Sequence, residues 1–261
     1  MDNCLLIFLK YPEAGKVKTR LAREIGYEKA ARLYRLFVEA TLKRTQDRNG
    51  HYEQLLFYTP VERGNEIESW LTFLRNGTDK QVCPHPNNGG LSACHPQIGS
   101  DLGERMLNAL KTAFLGGAKK AVIIGTDSPT VDKEIIYEAF CRLKDNKVVI
   151  GPTADGGYYL IGVSSPAGWH GQTTASLKLQ RWQTCLSVLF TGIDWGSNRV
   201  FEQTLKRVRE ENTSYSFLPL HYDVDNLEDL KTLKQEIIQM DVIKCRNLLA
   251  IYKMLVDELK I

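Results

Sequence analysis

Short apolar runs alternate with amphipathic stretches along most of this 261-residue chain, and this alternation restricts the possible folds more than any other feature of the sequence. Residues 121–124 form the clearest apolar run, which is short and continuous, as is typical of a strand buried on both faces. Further strands are predicted at residues 5–9, 55–58, 81–83, 148–150, 158–163 and 214–220. Strands that alternate with helices at this spacing form a largely parallel sheet with helices on both faces, so the sequence predicts an α/β fold.

The predicted helices are recognised by apolar residues that recur every three or four positions. The helix expected over residues 28–46 has an apolar face formed by Ala31, Tyr34, Val38 and Leu42. A second helix begins after Asp101, which is placed to cap it, and ends at Gly116. Its predicted buried face is formed by Met106, Leu110 and Phe114. Further helices are predicted at residues 62–74, 131–143 and 199–211.

We expect one domain over residues 1–261, because no linker, repeat or low-complexity tract interrupts this pattern. Residues 164–187 fit the pattern least: they are rich in Ser, Thr, Gln and Gly and show no clear period, so they are interpreted as an inserted loop. Residues 227–259 are expected to form a helical C-terminal segment.

Composition and charge exclude some classes of function. The net charge of +3 is too small for a protein that coats nucleic acid. There is no basic leader at the N-terminus and no apolar stretch long enough to span a bilayer, so we expect a cytoplasmic protein that does not bind membranes. The six cysteines include no CxxC pair, which favours a reducing compartment.

Four potential zinc ligands lie close together in the sequence, namely Cys83, His85, Cys94 and His95. Their spacing matches no common zinc finger, and the Gly, Pro and Asn residues around them do little to fix a shape. A surface loop, expected over residues 87–100, is therefore favoured over a zinc site.

The loop after the first strand is a candidate anion site, because open parallel sheets bind ligands beyond the carboxyl ends of their strands. It begins at Pro12, turns at Gly15 and carries the cations Lys16, Lys18 and Arg20. Such a loop can turn backbone N–H groups toward an anion. It is not a P-loop, because neither Ser nor Thr follows the Gly-Lys pair. A solvated basic turn is the alternative.

Asp127 follows the buried strand at residues 121–124 and lies between Gly125 and Pro129. A carboxylate fixed in this position suits an oxygen ligand for Mg²⁺ or Mn²⁺, which would bridge phosphates and stabilise charge on a leaving group. Alternatively, Asp127 only opens a turn before the next helix, with Asp132 as its cap.

Two further acidic loops follow later strands. Asp155 precedes Gly156 and Gly157, which permit close approach of a ligand, although Asp-Gly is also a strong hairpin signal. Asp223 and Asp225 would project to the same side of an extended chain. One cationic and three acidic loops at one edge of a sheet indicate a site for a metal and a diphosphate. No GxSxG motif is present, which disfavours a Ser-His-Asp hydrolase.

Seven segments together resemble a known group of proteins. They are PEAGKVKTRL at 12–21, DLGERM at 101–106, GTDSP at 125–129, GPTADGGYYL at 151–160, WGS at 195–197, DVD at 223–225 and EDL at 228–230. They look like a bacterial family in the glycosyltransferase-A (GT-A) superfamily, of the arsenosugar-biosynthesis type. The similarity to phospholactate guanylyltransferase and to the molybdenum-cofactor guanylyltransferases is more distant.

The resemblance implies a GT-A fold with a mixed, mostly parallel sheet. It implies a nucleotide held by the first loop and Arg105, and Mg²⁺ or Mn²⁺ at Asp127 and Asp225. It also implies an acceptor pocket near Asp155, formed by Gly156, Gly157, Tyr158 and Trp195.

Three functions fit these features. The first is glycosyl transfer from a nucleotide-sugar to a small-molecule acceptor, in which Asp155 would take the proton from the acceptor hydroxyl in an inverting reaction. The second is nucleotidyl transfer from a nucleoside triphosphate to a phosphorylated acceptor, which releases pyrophosphate. The third is nucleotide binding without catalysis, and the three carboxylates Asp127, Asp155 and Asp225 argue against it. We expect no nucleic-acid partner, and the sequence leaves a homodimer open.

Overall fold

A computed structural model describes residues 2–77, 94–165, 186–240 and 245–261. The strands in this part of the chain are β1 (Asn3–Lys10), β2 (Glu53–Thr59), β3 (Cys94–Pro96), β4 (Lys120–Ile124), β5 (Val148–Pro152), β6 (Tyr158–Ser164) and β7 (Tyr215–Phe217). The helices are α1 (Thr19–Ile25), α2 (Tyr27–Arg44), α3 (Gly64–Gly77), α4 (Leu102–Leu115), α5 (Lys133–Arg142), α6 (Val200–Glu210), α7 (Leu227–Gln239) and α8 (Leu249–Lys253).

The strands form one sheet in the order β3-β2-β1-β4-β6-β5-β7. Strand β6 runs antiparallel to its neighbours β4 and β5, and the other pairs are parallel. Because β6 runs the opposite way, its first residue, Tyr158, lies at the edge where β4 and β5 end. The predicted mixed, mostly parallel sheet is confirmed.

Both faces of the sheet are covered, as the alternation of buried residues along β1 shows. Leu5, Ile7 and Leu9 pack with residues of α2, α3 and α5, whereas Cys4, Leu6 and Phe8 pack with residues of α4 and α6. Helices on both faces of the sheet are thus confirmed. The predicted buried faces of α2 and α4 are also confirmed, apart from Leu42, which is half-buried.

The prediction of a mostly helical stretch over 227–259 is confirmed in the described residues, but the stretch is not one continuous helix: a 3-10 turn (Arg246–Leu248) precedes α8, and a π-helical turn (Met254–Glu258) follows it. Helix α7 ends at Gln239, because Met240 is extended, and α8 begins only at Leu249. One straight helix over the predicted range would be about 50 Å long. The two shorter helices instead both pack against α1 and α2, through Leu21, Phe37, Leu233 and Ile251 among others.

Two strand predictions also need correction. Strand β3 lies within the loop predicted over 87–100; its three residues are too few for a periodic signal. Strand β7 ends at Phe217, short of its predicted end, because Pro219 has no N–H to donate. The chain stays beside β5 nevertheless, since the His221 N–H donates to the Pro152 carbonyl at 3.1 Å. The strand predicted at 81–83 and most of the predicted insertion, residues 166–185, lie outside the described residues.

Candidate functional site

A cavity of about 270 Å³ opens at the carboxyl edge of the sheet. Its volume is near the lower end for ligand pockets, which is about 300 Å³. The ends of β1 and β4, the start of β6 and the first turns of α4 form its walls. Leu9, Gln97, Met106, Asp127, Tyr158 and Asp223 are among the residues that line it.

Lys18 brings two of the predicted metal ligands together. Its ammonium nitrogen lies 2.6 Å from Oδ1 of Asp127 and 3.0 Å from Oδ1 of Asp225. The Lys18 side chain is only 3% exposed, whereas those of Asp127 and Asp225 are 48% and 39% exposed. Arg20 adds a second, exposed cation 3.7 Å from Asp225. Of the predicted site residues, these four form one cluster.

The backbone fixes the relative positions of the carboxylates. Asp127 follows β4, and its carbonyl accepts a hydrogen bond from the Val224 N–H at 3.0 Å. The Ser128 hydroxyl donates to Oδ1 of Asp223 at 2.5 Å. Two loops that are distant in sequence are therefore joined beside the cavity.

A capping box holds the other end of the acidic segment. The Asn226 side chain accepts from the Asp229 N–H, and the Asp229 carboxylate accepts from the N–H groups of Asn226 and Asp225. The cap explains Asn226 and Asp229, and it leaves the side chains of Asp223 and Asp225 directed to the site.

The charges in the cluster stabilise one another. Burial favours the neutral form of Lys18, but Asp127 and Asp225 outweigh this effect and raise its pKa. Burial likewise opposes ionisation of Asp127, and the charge and hydrogen bond of Lys18 reverse this effect and lower the pKa of Asp127. Lys18 is thus a permanent cation, and Asp127 is ionised at neutral pH.

Unlike Asp127 and Asp225, Asp223 has no cation in direct contact among the residues that the structure describes. Burial, followed by the charge of Asp127, raises its pKa to about 6. The charge of Asp155 contributes in the same direction.

The loop after β1 is anchored at one side and exposed at the other. The Lys16 N–H donates to the Glu13 carbonyl at 3.0 Å, and the Arg63 guanidinium lies against Glu13 and the ring of Tyr11. Pro12 is half-buried, whereas Gly15 and Lys16 are exposed. The Lys16 side chain is therefore available to a ligand, although none of its contacts in the described part of the chain assigns it to one.

Asp155 lies in the hairpin turn between β5 and β6. Its Oδ1 accepts from the Thr153 hydroxyl at 2.6 Å and the Gly157 N–H at 3.2 Å. Gly156 has a φ of +89°, and a Cβ at this position would lie 2.0 Å from the carbonyl oxygen of Asn198. The space beside Gly156 is filled by the protein's own backbone, so the turn does not provide the open approach that the sequence suggested.

Of the predicted site residues, only Asp127 and Tyr158 line the cavity, and the side chains of Arg105 and Trp195 are engaged elsewhere. Arg105 uses its Nε to donate to the Gly99 carbonyl at 3.2 Å. Trp195 is half-buried beside Phe190, where its ring lies against Gly103 at the start of α4. Tyr158, by contrast, lines the cavity, and its role in acceptor binding stays a prediction. The ligand-binding roles of Arg105 and Trp195 stay predictions.

The prediction missed several cavity residues. Tyr34 was predicted only as part of a buried face, but its hydroxyl accepts from the Lys10 N–H at 2.9 Å and lies 3.0 Å from the Thr126 hydroxyl. Gln97 follows β3 and gave no signal in the sequence. The hydroxyl of Ser128 could have been suspected from its position next to Asp127.

A protein family described as "Uncharacterized protein conserved in bacteria (DUF2064)" matches residues 48–197, which is more than half of the chain. This chain belongs to the DUF2064 family. The matched range contains Gln97, Asp127, Asp155 and Tyr158, whereas Lys18 and Asp225 lie outside it.

Solved structures extend the comparison of this DUF2064 protein to its whole length. One is a protein from Desulfovibrio desulfuricans G20 that is assigned by inference as a nucleotide-diphospho-sugar transferase. It is 30% identical in sequence to this chain, the match covers 97% of this chain and 96% of that chain, and the TM-score is 0.76. A cytidylyltransferase from Leptospira borgpetersenii serovar Hardjo-bovis (strain JB197) is 13% identical, with coverage of 100% and 96% and a TM-score of 0.54. The second identity is low enough to show a shared fold alone. Among curated proteins, none matches this sequence.

Within the described residues of this DUF2064 protein, no three His, Cys, Asp or Glu side chains form a cluster that could hold a metal. Cys83 and His85 of the zinc alternative lie outside these residues, and the His95 ring stacks on Phe57 at 5.2 Å. The two carboxylates that share Lys18 fit a magnesium-type site, which needs only one or two protein carboxylates with phosphate oxygens and water. No helix in the described part is long and apolar enough to cross a membrane.

Proposed function

We propose that this DUF2064 protein transfers a sugar from a nucleotide-diphospho-sugar to a small-molecule acceptor, with Mg²⁺ or Mn²⁺ as cofactor. One observation carries the proposal: Asp127 and Asp225 converge on a single cation position beside a cavity at the carboxyl edge of the sheet. The relative from Desulfovibrio desulfuricans G20 supports this class of donor.

The loop after β1 would hold the diphosphate of the donor. Lys16 and Arg20 are exposed cations, and Lys18 would turn from the carboxylates to the phosphates when the donor binds. Asp127 and Asp225 would then be free to hold the divalent metal, which would supply positive charge to stabilise the departing diphosphate. Cations gathered around a leaving group are an effective way to lower the barrier to its departure.

The acceptor would enter the cavity beside Tyr158, the residue that follows the β5–β6 turn. Its hydroxyl oxygen attacks the anomeric carbon, the bond from that carbon to the diphosphate breaks, and the hydroxyl proton passes to a carboxylate. Asp155 is our candidate for this base. Its Oδ1 is engaged in the turn, but no hydrogen bond to its Oδ2 is found in the part of the chain that the structure describes.

Lys18 favours nucleotidyl transfer as a second candidate. When the acceptor already carries a phosphate, the reaction needs no base to take a proton from it. It needs extra positive charge at the α-phosphate instead. Lys18 would supply this charge once it turned from Asp127 and Asp225 to the phosphates.

The experiment that tests the proposal incubates the protein with Mn²⁺ and separate panels of nucleotide-sugars and nucleoside triphosphates, and separates the products by ion exchange. We expect slow hydrolysis of one nucleotide-sugar to free sugar and nucleoside diphosphate when no acceptor is supplied. The Asp127→Asn variant should lose this activity, and Asp145→Asn, which changes an exposed aspartate after α5, should keep it. Pyrophosphate released from a triphosphate in the presence of a phosphorylated acceptor would favour the second candidate instead.

A further inference from the structure

Gln97 is a buried polar residue on the wall of the cavity that the mechanism above does not use. It follows β3 directly and is 8% exposed. Its backbone N–H donates to the Tyr58 carbonyl at 2.8 Å, which extends the parallel pairing of β2 and β3 by one residue. This hydrogen bond fixes the backbone of Gln97 at the carboxyl edge of the sheet.

The orientation of the Gln97 amide is determined by its partners. Nε2 donates to the Phe57 carbonyl at 2.9 Å and to the Leu9 carbonyl at 3.3 Å. Both partners can only accept hydrogen bonds, so the NH₂ group must face them and Oε1 must point away. Within the described residues, Oε1 accepts no hydrogen bond. A buried amide oxygen normally accepts a hydrogen bond. For Oε1 of Gln97, a ligand in the cavity could provide the donor.

Helix α4 holds the loop after Gln97 in place. Arg105 donates to the Gly99 carbonyl at 3.2 Å, and Asn108 donates to the Ile98 carbonyl at 2.9 Å. Gly99 has a φ of +148°, and a Cβ there would lie 2.7 Å from the Arg105 backbone nitrogen. The loop is packed too closely against α4 for Gln97 to shift, so its oxygen is a preorganised acceptor.

We propose that Gln97 recognises the nucleobase of the ligand, by accepting a hydrogen bond at Oε1 from an exocyclic amino group. The base would lie against the apolar wall formed by Phe8, Leu102 and Met106, with its phosphates toward Lys18. The inference depends on the proposed function in one respect: the ligand must contain a nucleotide. Nucleotide-sugars and nucleoside triphosphates both do.

The chemistry of this wall favours an amino-bearing base over uracil. Because Nε2 is engaged by the carbonyls of Leu9 and Phe57, Gln97 offers an acceptor rather than a donor to a ligand. The ring N–H of uracil could also donate to Oε1, but the carbonyl oxygens on both sides of that N–H would then lie close to this acceptor and weaken the contact. Adenine, guanine and cytosine each present an amino group, so the ligand is expected to carry one of these three bases.

The test compares nucleoside diphosphates with analogues that lack the amino group, by isothermal titration calorimetry in the presence of Mn²⁺. The pairs are guanosine with inosine diphosphate, adenosine with purine riboside diphosphate, and cytidine with pyrimidin-2-one riboside diphosphate. Wild-type protein should bind one amino-bearing member about tenfold more tightly than its partner. In Gln97→Met this ratio should fall to about one, because Met cannot accept the hydrogen bond, whereas inorganic pyrophosphate should bind equally well to both proteins.

Gln54→Met is the matched control. Gln54 is a buried glutamine whose Nε2 also donates to a backbone carbonyl, that of Thr45, but it lies in β2 away from the cavity lining. The amino preference should persist in this variant. If Gln97→Met does not fold, Gln97→Asn withdraws the acceptor by one methylene and should also abolish the preference.

Two results would overturn the inference, and they are distinguishable from failure of the proposed function. The first is that wild-type protein shows no preference within any pair. The second is that Gln97→Met keeps the wild-type preference. If no nucleoside diphosphate binds wild-type protein at all, both the inference and the proposed function are wrong. If nucleotides bind but no sugar is transferred, only the proposed function is wrong.

Discussion

Lys18 and Asp225 are separated by 207 residues in the sequence, yet Nζ of Lys18 donates to Oδ1 of Asp225 at 3.0 Å. The same nitrogen lies 2.6 Å from Asp127, so the two carboxylates share one buried cation. A divalent metal at these carboxylates would have to displace Lys18, and Lys18 would then need another anion. The phosphates of a nucleotide are such an anion, which links the binding of metal to the binding of nucleotide.

The first prediction follows from this competition. Mn²⁺ alone should bind weakly to the wild-type protein, and a nucleoside diphosphate should strengthen its binding about tenfold or more, a usual size for coupling between two ligands. Lys18→Met should bind Mn²⁺ more tightly than wild type in the absence of nucleotide. Electron paramagnetic resonance of unbound Mn²⁺ measures both effects. Lys16→Met controls for the loss of a nearby charge, and equal Mn²⁺ affinity in wild type and Lys18→Met would contradict the idea.

The second prediction concerns Asp127 and the role of the metal. Nucleotide binding should require a divalent cation in wild-type protein, and Asp127→Asn should remove this dependence while the fold stays intact, because the side chain is half exposed. Calorimetric titration of nucleotide with and without chelator measures the dependence, and circular dichroism checks the fold. A metal role for Asp127 would be excluded by equal wild-type affinities under the two conditions.

The third prediction concerns the cations of the loop after β1. Lys16→Ala and Arg20→Ala should each weaken binding of a nucleoside diphosphate by about 1.5–3 kcal/mol, the range for hydrogen bonds to charged groups. Binding of the bare nucleoside should hardly change. Lys43→Ala, which removes an exposed cation from the end of α2, should affect neither ligand. Equal losses for nucleoside and diphosphate would place Lys16 and Arg20 away from the phosphates.

The fold and part of the site could be predicted because they depend on local patterns. Apolar runs specify the strands, and strand ends specify the edge where Asp127 and Asp225 lie. The bridge made by Lys18 could not be predicted, since the sequence allowed this lysine to face a ligand or solvent equally well. Only the packed structure shows that its side chain is buried between two carboxylates.

Other parts of the site depend on contacts that no spacing encodes. The orientation of the Gln97 amide is set by carbonyls of the neighbouring strands β1 and β2. The strand before Gln97 is only three residues long. The glycine after Asp155 was interpreted as space for a ligand, but the backbone of Asn198 fills that space. A sequence shows that a residue permits close approach, but it does not show what approaches.

The last prediction concerns stability and the carboxylate of Asp47, which closes the turn between α2 and β2. This side chain is 1% exposed and accepts hydrogen bonds from the N–H groups of Asn49 and Tyr52, at 2.9 and 3.2 Å, and from that of His51. The Tyr137 hydroxyl of α5 donates to it at 2.8 Å. Burial opposes ionisation of Asp47, but these hydrogen bonds outweigh it and lower its pKa.

A carboxylate whose pKa is lower in the folded state stabilises the fold above its unfolded pKa, which is about 3.9 for Asp, and loses this effect as the pH falls through the folded pKa. Asp47→Asn should therefore lower the free energy of unfolding by about 1–3 kcal/mol at pH 7. The difference between wild type and variant should shrink as the pH is lowered from about 5 toward 3. Urea unfolding at several pH values measures it, with the exposed Asp145→Asn as the control that should show little difference at any pH. A difference for Asp47→Asn that stayed constant with pH would mean that the hydrogen bonds do not favour the charged form.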